Sequence, residues 1–159
     1  MKNNVIKQTH DWLEVSELPC ATKQECIDKV ELIKKLVIEE LNETIEGIKN
    51  DDLDEIYNGL SDSYTVLSNL PYYLSLDLKE LDKEIGRTYL SNLTKYCDNK
   101  EDAEITKEMY ASGMHPNKPG KIIEVDVYEN EFEGKTVYYL KNKEGKIMKS
   151  WKFKDVNEF

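Results

Sequence analysis

The chain has 159 residues, 32 acidic against 22 basic, and a net charge of −10. That length allows one domain with a sizeable core, and direct binding to nucleic acid is not expected because the phosphates would repel so acidic a surface. No apolar run reaches membrane-spanning length, the opening lacks the basic-then-apolar form of a signal peptide, and Cys20, Cys26 and Cys97 are spaced too widely for a disulfide framework or a zinc ribbon, so a soluble protein of a reducing compartment, the cytoplasm, is expected.

Between Met1 and Pro19 the residues Val5, Ile6, Trp12, Leu13 and Val15 stand near helical register, which predicts a short amphipathic helix with Trp12 as a core anchor. Thr22-Lys23-Gln24-Glu25 reads as a capping box, opening a long helix to about Asn50. Asn50-Asp51-Asp52 supplies its stop and the N-cap of a second helix, Leu53 to Leu70. Gly59 in that helix admits the close approach of another helix or a nucleotide, or is a packing notch. Pro71 breaks the pattern, and Asp77 to Tyr96 is predicted as a third helix with Leu78, Leu81, Ile85, Tyr89 and Leu93 on one face. A fourth is predicted from Lys100 to about Ala111.

After the Pro- and Gly-rich loop Ser112–Gly120 the period becomes two. Ile123, Val125 and Val127, then Val137 and Tyr139, then Ile147 to Phe153 after the turn Asn142–Gly145, predict an antiparallel sheet of two or three strands. The expected fold class is mainly α: a helical bundle over residues 1–112 with a small C-terminal antiparallel β appendage, 113–159, of the same domain. Lys146 and Lys149 in the appendage are either phosphate contacts or guards against edge pairing.

The apolar stripe of the long helix, Ile33 and Leu36, advances at helical spacing onto Glu40 and Glu43. Acids on an inward face repel one another and cost desolvation unless a cation or a proton neutralises them. Asp62, on the next helix, would meet them if the two helices cross. Three hard oxygen ligands in one place suit magnesium or manganese; the other reading is a solvated charged face.

Glu39-Glu40-Leu41-Asn42-Glu43 resembles the EExxE element of the all-α nucleoside triphosphate pyrophosphohydrolases, the superfamily of MazG, the dimeric dUTPases and the phosphoribosyl-ATP pyrophosphohydrolases. Gly59-Leu60-Ser61-Asp62 resembles its second element. Ser91-Asn92-Leu93-Thr94-Lys95 is similar to the SNMSK element of a phage-rich branch, and Gly145-Lys146-Ile147-Met148-Lys149-Ser150 is similar to that branch's GKVLKS segment.

The resemblance implies an all-α pyrophosphohydrolase-like bundle and hydrolysis of a nucleoside triphosphate to monophosphate and pyrophosphate, for control of the nucleotide pool. Glu40, Glu43 and Asp62 would bind magnesium with Asn58 beside them, Glu39 would be a further ligand or the base for water, and Asn92, Lys95 and Lys149 would contact substrate. It further implies a homodimer or homotetramer, in the host cytoplasm if the protein is phage-encoded. The chain departs from the family where an acid should precede Asp62 by three or four residues: Gly59 and Asn58 stand there. That departure keeps open a catalytically silent nucleotide- or protein-binding member of the fold. A third reading is an acidic mimic of nucleic acid.

Overall fold

The computed structural model describes residues 5–159 and is mainly helical, with one small antiparallel sheet. The helices are α1 (Val5–Ser16), α2 (Lys23–Lys49), α3 (Leu53–Leu67), the single turn α4 (Leu70–Tyr73), α5 (Leu78–Leu93) and α6 (Lys100–Ser112), followed by strands β1 (Val125–Phe132) and β2 (Lys135–Asn142). Among the described residues no helix is long and apolar enough to cross a membrane. Contacts divide the chain into two compact units, Met1–Asp82 and Lys83–Phe159. The division falls within α5.

In the first unit, α2 starts where the sequence places it. Thr22 Oγ1 accepts from the Glu25 amide at 3.2 Å, while the Glu25 carboxylate reaches back to the Ala21 amide at 2.8 Å, one residue before the cap. Asp52 caps α3 by accepting from the Glu55 amide at 3.1 Å. Pro71 does not end helical structure: it occupies the first turn of α4, where a missing amide proton costs nothing.

The core of this unit joins Leu13, Ile33, Tyr72 and Tyr73, with Cys20, Val37, Val66 and Leu70 packed against them. Tyr72 donates its hydroxyl to the Glu17 carbonyl at 2.6 Å, and Thr9 bonds the Ser68 carbonyl at 3.0 Å. Trp12, expected as the anchor, is 62% exposed. Helical geometry turns successive residues about 100° apart, so once Leu13 faces the core its neighbour faces water.

In the second unit, α6 and the strands share one core of Cys97, Ala103, Tyr110, Val125, Leu140 and Met148. The strands are therefore the wall against which α6 folds. Two strands form, paired from Val125↔Asn142 to Phe132↔Lys135. Glu133 and Gly134 turn the chain with φ of 50° and 74°, the left-handed pair that a two-residue hairpin turn needs. The expected third strand shrinks to a single bridge, Lys141↔Ile147.

Candidate functional site

Helices α2 and α3 run antiparallel and touch through small groups. A Cβ built on Gly59 would lie 2.4 Å from Thr44 Oγ1 and 2.7 Å from the Glu40 carbonyl oxygen; one on Gly47 would lie 3.0 Å from the Ile56 nitrogen. Gly59 thus admits a helix. The contact positions are Glu40, Thr44 and Gly47 on α2 and Ile56, Gly59 and, one turn further, Ser63 on α3. Thr44, Gly47, Gly59 and Ser63 are buried, Glu40 and Ile56 half-buried.

The acids follow from that register. Glu39, Glu43 and Glu46 stand one residue before the α2 contact positions, and Glu55, Asn58 and Asp62 one before those of α3. Each is rotated about 100° from the contact line. Because the helices run in opposite directions, the same offset brings both rows to one side of the hairpin.

Glu40 lies between this acidic side and the buried contact. Loss of water raises its carboxyl above the usual 4.5, and the charges of Glu43, Asp62 and Glu39 push it further the same way. Glu39, Glu43, Asn58 and Asp62 are themselves exposed, so only the first of the two acids expected on the inward face is drawn in. Thr44 donates to the Glu40 carbonyl at 3.0 Å. Ser63 Oγ, one turn beyond Gly59, is buried without a hydrogen-bond partner.

The four acids gather without closing. No three of them each bring a ligand atom within 4.8 Å of the others; among the described residues, His10, Asp11 and Glu14 do. That trio is one turn of α1, Asp11 and Glu14 exposed and His10 half-buried, where His10 Nδ1 lies 3.5 Å from Glu14 and Lys7 pairs with Asp11. Ordinary i,i+4 pairing accounts for it.

Asn92, Lys95 and Lys149 belong to the second unit. Their two segments dock on each other. Ser150 donates to the Thr94 carbonyl at 2.6 Å, Ser91 to the Lys154 carbonyl at 2.8 Å, and the Lys154 amide to Thr94 Oγ1 at 3.0 Å. Ser91, Thr94 and Ser150 are thus structural, which leaves Asn92 exposed and Lys95 half-buried beside them. The Lys149 ammonium sits 3.8 Å over the Phe153 ring.

Sequence reasoning passed over Thr44 and Ser63, although both are small polar residues in phase with Glu40 and Gly59. It also passed over Asp102, a buried carboxylate held by Asn99 Nδ2 at 3.0 Å, Trp151 Nε1 at 3.2 Å and Lys152 Nζ at 2.7 Å. The hydrogen bond from Lys152 is the foremost cause that lowers its pKa.

No protein-family model matches this chain, and no curated protein and no solved structure matches it; what the acidic face can do is read from its own residues.

Proposed function

We propose that the chain hydrolyses a ribo- or deoxyribonucleoside triphosphate between its α- and β-phosphates, releasing a nucleoside monophosphate and pyrophosphate, with magnesium or manganese as cofactor. One observation carries the reading: Glu40 is a half-buried carboxylate raised by desolvation and by Glu43, Asp62 and Glu39, and these four residues are the acids of the two resembled motifs. Such a group is stabilised by whatever brings positive charge to it. Hard oxygen donors from two helices are the chemistry that suits a small divalent cation, though no three of these acids bring ligand atoms within 4.8 Å of one another.

Glu40, Glu43 and Asp62 would hold that cation, with the Asn58 side-chain carbonyl as a neutral fourth donor. Bound there, it would offset the charge of the triphosphate. Exposed Glu39 is the carboxylate free to accept a proton from the attacking water. By the resemblance alone, Asn92 and Lys95 of the second unit would contact substrate, the lysine as a point charge.

A second reading, a silent nucleotide binder of the same fold, is favoured by one specific observation. The family's missing acid cannot be restored at residue 59, because any side chain there would meet Thr44 and the Glu40 carbonyl. The site is one charge short.

The test is pyrophosphate release from a panel of ribo- and deoxyribonucleoside triphosphates, with and without magnesium, for the natural chain, Glu40→Gln and Asp62→Asn. Magnesium-dependent turnover that disappears in both variants establishes the hydrolase and its preferred base. Magnesium-dependent nucleotide binding without turnover leaves the silent binder.

A further inference from the structure

The sheet of the second unit has two faces, because successive side chains of a strand point to opposite sides. The register sets Val127 opposite Leu140 and Tyr128 opposite Tyr139. Val125, Val127, Tyr138 and Leu140 therefore share one face, and this face packs into the core with α6. Tyr128, Asn130, Phe132, Val137, Tyr139 and Lys141 share the other. It opens into a groove of about 590 Å³, whose lining also includes Tyr89 and Leu93 of α5, Tyr96 and Ile147. That volume falls within the roughly 300–1,000 Å³ of small-molecule sites.

Tyr139 is the centre of a ring cluster on this face. Tyr128 stacks on it at 5.5 Å with 19° between planes, and Tyr96 meets it edge-on at 6.1 Å and 77°. Tyr89 and Phe132 extend the aromatic lining and are 58% and 48% exposed. A cation already rests on the cluster. Lys141 Nζ lies 5.4 Å from the Tyr139 centroid and 5.5 Å from that of Tyr128, within the roughly 6 Å over which a ring face attracts positive charge.

We propose that this groove binds a small organic cation of the quaternary ammonium class, its head group on the ring faces that now hold the Lys141 ammonium. Three observations select that ligand. The position of Lys141 shows that these faces accept an ammonium. The charged side chains of the lining are Asp98, Glu131 and Lys141, an acidic balance on a chain of net charge −10, which draws cations in and repels phosphates and carboxylates. Most of the lining is ring or aliphatic carbon, and Glu131 already accepts from Thr136 Oγ1 at 2.7 Å. A primary ammonium or a guanidinium would leave N–H groups short of acceptors there, whereas a quaternary ammonium has none to satisfy. When ligand enters, Lys141 can withdraw toward Asp126, its cross-strand neighbour on the same face. The groove lies wholly within the second unit and stands whether or not the acidic side of α2 and α3 hydrolyses a nucleotide.

The test is an amide NMR titration of the full chain with choline and with 3,3-dimethylbutan-1-ol, the uncharged molecule of the same shape. Choline is expected to shift the amides of β1 and β2 saturably and to bind on the order of 10-fold more tightly than the alcohol. Tyr139→Leu is expected to weaken choline on the order of 10-fold, and Lys141→Gln to tighten it about 3-fold by removing the competing cation. If Tyr139→Leu disturbs amides throughout the second unit, Tyr96→Leu takes its place. Equal binding of the alcohol overturns the proposal, because the rings then act only as apolar surface. Weaker choline binding by Lys141→Gln overturns it as well, as does the absence of saturable shifts up to about 100 mM choline. Flotation with phosphatidylcholine vesicles separates a free ligand from a lipid headgroup: the chain is expected to stay behind, and co-flotation overturns the small-ligand assignment.

Discussion

Gly59 and Thr44 meet where α2 and α3 cross, so closely that a Cβ on Gly59 would stand 2.4 Å from the threonine hydroxyl and 2.9 Å from its amide nitrogen. The obstacles include backbone, which cannot rotate away. Alanine in place of a mid-helix glycine ordinarily gains about 1 kcal/mol, but here that gain is outweighed by overpacking worth about 1–3 kcal/mol or more. Gly59→Ala is therefore expected to lower the urea midpoint. Gly86→Ala, in α5 with nothing within 4 Å, is expected to raise it by the equivalent of about 0.5–1 kcal/mol. Equal effects of both substitutions would mean the helices do not cross at Gly59.

Glu40 should make the protein less stable at neutral pH than a neutral residue would. Its carboxyl is raised in the fold above the usual 4.5, first by desolvation and then by Glu43, Asp62 and Glu39. Its contribution is thus fully present below pH 4.5 and is lost as pH rises through the folded value. Glu40→Gln is expected to raise the melting temperature at pH 7 in the presence of a chelator, with the difference vanishing in acid. Added magnesium should stabilise the natural chain and not the variant. Thermal melts at pH 4 and pH 7, with and without magnesium, check both.

The long helices and their caps were legible because the signals are local: Thr22 and Asp52 accept from amides three residues on. Spacing and resemblance point to Glu40, Glu43 and Asp62 round one point; the charges of Glu43 and Asp62 reach Glu40, but the three do not bring ligand atoms together. What the pattern concealed was the contact line itself. Ile33 and Leu36 point to an apolar inward face, yet α2 meets α3 through Thr44 and Gly47, residues that hydropathy does not mark as buried. With that line misplaced by one residue, Glu43 reads as inward, whereas it is exposed. Trp12 failed for a related reason, since size predicts burial only when the helix face agrees. The docking of Ser91 and Thr94 on Ser150 and Lys154 joins residues some sixty apart, beyond any periodicity.

Asp102 ties α6 to the C-terminal segment, and its loss should be costly. It is 8% exposed and accepts from Asn99, Trp151 and Lys152. Asp102→Ala leaves the Trp151 indole nitrogen without its acceptor, and a loss of about 2–3 kcal/mol is expected. Lys152→Ala should cost about 1 kcal/mol or less, because the lysine side chain is 57% exposed. Because the carboxyl is held below the usual 3.8, its contribution is present above that value and lost only as pH falls through the folded one. Urea titrations from pH 7 downward should show the gap between the natural chain and Asp102→Ala narrowing only in acid below the usual carboxylate range.

His115 sets the opposite end of the acid range. Its ring is fully buried and stacks on Tyr110 at 3.9 Å with an angle of 8° between planes, while Nδ1 accepts from the Asn117 amide at 3.2 Å. Nε2 has no hydrogen-bond partner. Burial lowers its pKa below the usual 6.5, with the Lys149 and Ser150 backbone pulling the other way. A proton then binds the unfolded chain more readily than the folded one, so stability is kept above pH 6.5 and falls as pH drops below it. His115→Phe preserves the stack on Tyr110 and removes the titration. Its unfolding free energy should change less than that of the natural chain between pH 7 and pH 5. An unchanged slope in the variant would assign the acid sensitivity to another group.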